Sequence, residues 1–353
     1  MLLEGIFAPV TTCFYPDGRC YWRKLEANME RYSRTAMSGM VLLGSTGEAV
    51  MLSDEETREA LRVARGATAP EKVLIAGVGR ESVIETLRLA DFAAELQYDA
   101  ILVRTPHYYR RQMRNREMLT YYQAVADRSP LPVVLYSIPS CTGYDLPIEV
   151  VAELAMHPNI VGLKDSSGNV ERIAELVKAT LSARKRTVPV TTVFAAVTAR
   201  MLAAPENQAG STFVAAGQLV SGATAIAVPP PKPPLKTRTR EVGFQVVCGS
   251  AQTLYRSLEV GATGGVLAVA TFAPQAVGEI YTAWAEKDPV LATEKQQRIA
   301  QVGIEVAGRM GVPGVKYALD LNGYYGGRPR MPLLPLTGEE QRQVDELMTD
   351  IRN

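Results

Sequence analysis

"NIVGLKDSSGN", residues 159–169, carries a short apolar run, 160–163, that ends in one lysine followed by Asp165, two serines and Gly168. A run that is apolar on consecutive positions fits a strand covered on both faces, as in a parallel sheet with helices on either side. Lysine is among the residues least often buried without a partner. Lys164 is therefore either a strand-end charge that reaches water beside Asp165, or an amine held in a pocket for chemistry.

The same pattern recurs along the chain. Apolar runs at 6–10, 40–43, 73–76, 100–103, 133–136, 160–163, 244–247 and 266–270 are each followed by a helical pattern. "LSDEETREALRVAR" opens with Ser53 and has Glu56 three residues later, a capping box. "SVIETLRLADFAAELQ" and "NVERIAELVKATLS" repeat apolar residues at helical spacing. Polar clusters follow nearly every run: "GSTGE", "RTPHYY", "YSIPSCTG", "KDSSG" and "CGS". An open, doubly wound sheet gathers such residues at one switch point. A (β/α)8 barrel assembles its site from the C-terminal ends of several strands. The pattern predicts an α/β chain folded as a TIM barrel over 1–290, with a C-terminal helical extension over 291–353.

One segment breaks the rhythm. The stretch 184–242, between the sixth helix and the seventh strand, holds eight basic and two acidic residues and includes "VPPPKPPLKTRTR". Connections of that length are unusual inside a compact domain. It is expected to emerge on the face opposite the active site, as a solvated, partly disordered insertion or as a contact for a partner or neighbouring subunit.

Composition limits the function classes. With 353 residues, 47% hydrophobic, 21% charged and a net charge of +1, the chain has a full core and no overall bias toward nucleic acid or membrane. Arg104, Arg110, Arg111, Arg114 and Arg116 surround Tyr108 and Tyr109 and read as a solvated rim, a subunit contact or a means of steering an anionic substrate. The cysteines at 13, 20, 141 and 248 show no CxxC spacing, and only His107 and His157 accompany them, so no metal site is expected. The N-terminus lacks the basic start of a signal peptide, which makes the cytoplasm the default.

At the end of a sixth barrel strand, Lys164 points into the mouth. Desolvation there frees an amine lone pair to attack a carbonyl and form a Schiff base, an electron sink for an adjacent carbon–carbon bond. "GSTGE" offers hydroxyls and backbone N–H groups to a small carboxylate, and lacks the lysine of a nucleotide loop. "YSIPSCTG" supplies Tyr136, either a packed aromatic or a proton relay.

Together and in this order, these three motifs resemble the dihydrodipicolinate synthase/N-acetylneuraminate lyase family of pyruvate-handling class I aldolases. The resemblance runs from "APVTTCF" to "GYYGGRPRMPLLPL" and leaves out 184–242. It implies a Schiff base at Lys164, a proton shuttle at Tyr136, and a keto-acid carboxylate held by Ser45 and Thr46. Tyr108 matches a tyrosine lent to a neighbouring subunit, with Tyr109 close by, which implies a homotetramer. Ser166 and Leu267 complete the expected substrate-binding set, and no cofactor is needed.

Cys141 stands where the synthases carry an arginine for the second substrate's carboxylate, and Asp165-Ser166-Ser167 replaces their Glu-Ala-Thr. The fifth- and sixth-strand motifs look more like 4-hydroxy-2-oxoglutarate aldolases, although those enzymes carry "GSNGE" where Thr46 stands here. The expected reaction is cleavage of 4-hydroxy-2-oxoglutarate to pyruvate and glyoxylate. The alternatives are synthase condensation of pyruvate with aspartate semialdehyde, a sugar-acid aldolase or dehydratase, a hydroxyproline-pathway deaminase, and a non-catalytic keto-acid-binding module.

Overall fold

A computed structural model describes residues 1–203 and 235–351. Eight parallel strands close into a barrel: β1 (Gly5–Pro9), β2 (Gly39–Leu42), β3 (Val73–Gly77), β4 (Ala100–Arg104), β5 (Val133–Ser137), β6 (Ile160–Asp165), β9 (Gln245–Cys248) and β10 (Gly264–Val266). Two more, β7 (Arg186–Thr191) and β8 (Thr237–Val242), pair antiparallel outside it. Each barrel strand is buried throughout or nearly so, because one face fills the lumen and the other meets a helix. Phe7, Val41, Ile75, Leu102, Val134, Val161 and Val247 share the lumen cluster. Ile6, Met40, Leu74, Ile101, Val133 and Leu163 pack into the outer layer against the helices.

Local signals set the helices. Ser53 Oγ accepts from the Glu56 N–H, and the Glu56 carboxylate accepts from the Ser53 N–H, so the capping box opens the helix Asp54–Ala67. Ser82 and Asn169 cap the helices Val83–Glu95 and Val170–Ala179 more simply, each side-chain oxygen accepting one N–H, from Glu85 and Arg172 respectively. Beyond the barrel, the helices Pro289–Val302, Gly311–Leu321 and Gly338–Leu347 form the C-terminal extension.

Seven of the eight expected strands lie within two residues of their predicted positions. The eighth does not: the strand is Gly264–Val266, and Ala268–Phe272 is a short helix. The glycines permit the close approach that hides this strand from a reading based on apolar runs. A Cβ on Gly264 would lie 2.0 Å from the Gly5 carbonyl oxygen of β1.

The insertion does emerge at the bottom of the barrel, but its described parts are folded against it. The Arg186 guanidinium donates to the carbonyls of His157, Pro158 and Ile160, at the entry to β6. Arg200 donates to the Lys72 carbonyl and pairs with Asp99 at 3.3 Å, both side chains buried, at the entries to β3 and β4. These cations meet carbonyls and a carboxylate at the starts of the strands, which gives the segment an anchor that its polar composition concealed. Residues 204–234, with Glu206 and Lys232, lie outside the described residues.

Candidate active site

Parallel register brings the central pair together. Tyr136 of β5 is the Cα partner of Lys164 of β6, and both side chains face the lumen mouth. Lys164 is 4% exposed, and its Nζ donates to the Tyr136 hydroxyl at 3.1 Å. The same amine lies 4.2 Å from the centre of the Tyr136 ring. No carboxylate of the described residues lies within ion-pairing distance of Lys164. Asp165, one residue on, faces the other side of the strand. Its carboxylate accepts from the Ser167 N–H and hydroxyl and from Arg172 Nε at 2.9 Å. The structural pairing of Lys164 with Asp165 is thereby ruled out: Asp165 is already committed to Arg172 and Ser167.

The Tyr136 hydroxyl lies 3.2 Å from Ser45 Oγ, which extends the line from Lys164 into the "GSTGE" loop. This loop is a tight turn, with the Gly47 and Glu48 N–H groups donating to the Gly44 and Ser45 carbonyls. Leu43 and Glu48, at its two ends, have φ of 59° and 53°, a left-handed conformation uncommon for residues with a Cβ. Packing holds it there. Gly77 leaves room for the Leu43 carbonyl, which a Cβ would approach to 2.3 Å, and Thr12 Oγ1 donates to the Gly47 carbonyl at 2.6 Å. The Glu48 carboxylate meets Lys316 of the C-terminal extension at 2.6 Å and accepts from the Arg330 N–H.

A cavity of about 510 Å³ opens beside this line; Gly44, Ser45, Arg104, Tyr108, Tyr136 and Cys141 are among the residues that line it. Lys164 sits behind Tyr136 rather than on the lining. Tyr108 borders the cavity and Tyr109 does not, which separates the two tyrosines that the sequence left adjacent. Thr46 is half-buried, makes no side-chain hydrogen bond among the described residues, and is not part of the cavity lining. Ser166 leans on Gly249, where a Cβ would meet its hydroxyl at 2.0 Å. Leu267 is fully buried in the outer core. Neither of the last two reaches the cavity in this chain. A larger cavity, about 850 Å³, lies near the starts of β1 and β2 and contains none of the expected residues.

Glu81 was not legible as a site residue. Its Oε2 accepts the N–H groups of both His107 and Tyr108, and its Oε1 lies 3.0 Å from Arg104 Nη1 and 2.8 Å from His107 Nδ1. Its carboxyl is held below the ordinary value: burial raises it, but the Tyr108 N–H and Arg104 outweigh that effect. No local motif marks it, since its partners are more than twenty residues away. Arg104 carried a usable signal, because in "AILVR" it shares the alternation of the inward-facing Ala100 and Leu102.

Comparison with known proteins accounts for nearly the whole chain. A sequence model described as the Dihydrodipicolinate synthetase family matches residues 2–186 and 235–351, the gap falling within the insertion. A 4-hydroxy-tetrahydrodipicolinate synthase of Methanothrix thermoacetophila is 26% identical over 99% of this chain and 97% of its own length. One from Xanthomonas campestris pv. campestris is 41% identical over 50% of this chain and 58% of its own length. A solved dihydrodipicolinate synthase from Bacillus anthracis shares the fold with a TM-score of 0.79 at 22% identity, each chain covered fully. A prophage protein of the same family from E. coli K12, solved in complex with pyruvate, gives 0.77 at 24% identity, covering 99% of each chain. These relatives carry the synthase or family name, and none of them supports the closer likeness to 4-hydroxy-2-oxoglutarate aldolases. This chain belongs to the Dihydrodipicolinate synthetase family and is, with it, a class I Schiff-base carbon–carbon lyase.

Proposed function

We propose that the chain joins pyruvate to an aldehyde bearing a carboxylate, with Lys164 as the Schiff-base residue and aspartate semialdehyde as the first acceptor to test. The observation that carries this reading is the buried Lys164 amine, without a carboxylate partner among the described residues and 3.1 Å from the Tyr136 hydroxyl. The names of the relatives support the synthase reaction.

The Lys164 amine attacks C2 of pyruvate, and loss of water leaves the imine. Loss of a C3 proton gives the enamine, whose C3 forms the new bond to the aldehyde carbon. The aldehyde oxygen takes a proton through Tyr136, and water then releases the product and restores the amine. Ser45 holds the pyruvate carboxylate and completes the line to Tyr136. Tyr108, 77% exposed beside Tyr109, is suited to enter the site of a second copy in a homotetramer.

A second reading runs the same steps backward on 4-hydroxy-2-oxoglutarate, releasing glyoxylate and pyruvate. Cys141 favours it, because a thiol on the fifth-strand turn cannot grip the acceptor carboxylate as an arginine does. Borohydride with pyruvate should fix one reduced pyruvate on the peptide that contains Lys164, and Lys164→Ala should abolish it. Loss of aspartate semialdehyde in the presence of pyruvate then supports the synthase. Pyruvate release from 4-hydroxy-2-oxoglutarate without that condensation supports the lyase. A wild-type chain that traps no pyruvate overturns both.

A further inference from the structure

The aldehyde in either reading carries a carboxylate, and Cys141 gives it no cation. The charged residues lining the 510 Å³ cavity are Arg80, Glu81 and Arg104. Glu81 already serves two backbone N–H groups and Arg104. Among the described residues the lining thus carries a net positive charge, which draws carboxylates into the cavity.

Arg104 is built to receive it. It ends β4 on the inward alternation, and its Cα partner is Tyr136, itself the partner of Lys164. Two strand spacings, roughly 10 Å, separate the Cα atoms of Arg104 and Lys164, with Tyr136 between them. The Arg104 side chain is 21% exposed. Its Nη1 is fixed by Glu81 at 3.0 Å and lies 2.8 Å from His107 Nδ1, which either accepts from Arg104 or donates to Glu81. Nε and Nη2 have no hydrogen-bond partner among the described residues. Those two groups form the side-on edge of a guanidinium, the edge that matches a carboxylate with two parallel N–H···O bonds.

The other arginines are less suited. Arg80 folds back on the Gly79 carbonyl at 3.2 Å, and Arg110 lies against Gly143 outside the lining.

We propose that Arg104 binds the carboxylate of the aldehyde substrate through Nε and Nη2, so that the acceptor is read from the fourth strand instead of the fifth-strand turn. The assignment rests on the aldol reading above and adds a specificity residue to it. Glu81 and His107 position the guanidinium, and its charge separates acids from neutral aldehydes.

The test compares wild type, Arg104→Gln and Arg104→Lys in the full chain, with pyruvate and four aldehydes: aspartate semialdehyde, glyoxylate, acetaldehyde and propionaldehyde. Borohydride trapping of pyruvate should be equal in all three, since pyruvate does not meet Arg104. In Arg104→Gln, KM for the carboxylated acceptor should rise roughly 10- to 100-fold while the neutral aldehydes are unaffected. Arg104→Lys, which keeps the charge but not the fork, should fall between. An unchanged KM in Arg104→Gln, or equal losses for acidic and neutral aldehydes, overturns the assignment while leaving the Schiff base intact. If Arg104→Gln fails to trap pyruvate, Arg104→Lys decides, and an unchanged KM there overturns the assignment. A wild type that traps no pyruvate, or condenses with neither aldehyde acid, overturns it through the underlying reading.

Discussion

Lys316 and Glu48 face each other at 2.6 Å with side chains 0% and 1% exposed, which joins a helix of the C-terminal extension to the loop that carries Ser45. The contact is a close, buried ion pair. Lys316 also donates to the Arg328 carbonyl at 2.9 Å and lies over the Phe14 ring. Burial pulls the Lys316 amine below its ordinary value, and Glu48 opposes that pull. Removing one partner of a buried pair strands the other charge, at a cost of about 3–5 kcal/mol. Lys316→Met should therefore destabilise the fold by about that much in urea unfolding. Lys316→Met with Glu48→Gln should be milder than Lys316→Met alone.

Tyr136→Phe separates binding from turnover. The ring still packs beside Lys164, but the hydroxyl that accepts from Nζ and meets Ser45 is gone. Borohydride should still trap pyruvate on Lys164, while kcat falls roughly 10²- to 10⁴-fold. Retention of full kcat in a burst-free steady-state assay would remove Tyr136 from the proton path.

Acid should weaken the fold through Glu56. Its hydrogen bonds to Arg330, chiefly, pull its carboxyl from 4.5 to about 2. The contact is bidentate, with Arg330 Nη2 and Nη1 at 2.6 and 2.7 Å from the two carboxylate oxygens. A carboxyl held below its unfolded value stabilises the fold above that value, and the contribution is lost as pH falls through the folded one. Stability contributed by Glu56 is therefore complete above pH 4.5 and declines toward pH 2. Urea titrations across that window should show a shallower pH slope in Glu56→Gln than in wild type.

Glu81→Ala frees the N–H groups of His107 and Tyr108 and the Arg104 tether at one stroke. The amides of these two residues should exchange with deuterium faster than in wild type. Turnover should drop roughly 10- to 100-fold through misplacement alone. Glu81→Gln, which keeps one acceptor oxygen, should recover part of both effects.

The barrel was legible because each strand is buried on both faces, and apolar runs between helical patterns expose that arrangement. The last strand failed for a physical reason. In "GATGGVLAVATF" the strand consists of glycines and one valine, and the apolar run after it coils into a helix. A short buried run looks alike in either state. β7 and β8 were hidden by charges and by Pro189, features an edge pair outside the barrel tolerates. Within the site, Lys164, Tyr136 and Ser45 were legible as strand-end motifs, and the structure brings them into one line. The placements of Thr46, Ser166 and Leu267 outside the cavity lining depend on loop turns that no motif encodes. Glu81 with Tyr108, and Lys316 with Glu48, depend on tertiary contacts that a single sequence does not display.

The first and last residues of the β7–β8 pair, Arg186 and Val242, are Cα partners. The chain thus leaves the barrel and re-enters it at adjacent points, with Arg186 and Arg200 pinning the exit. The described parts of the segment meet the barrel at its strand entries, the end opposite Lys164. Between two ends fixed side by side, added length is inexpensive in general, at about 0.6 kcal/mol of closure entropy for each doubling of a flexible loop. The bottom of this barrel is thus a graft port: its two rims, Arg186 and Val242, stand side by side, and the chain can depart and return there without moving the strand ends that carry Lys164 and Tyr136.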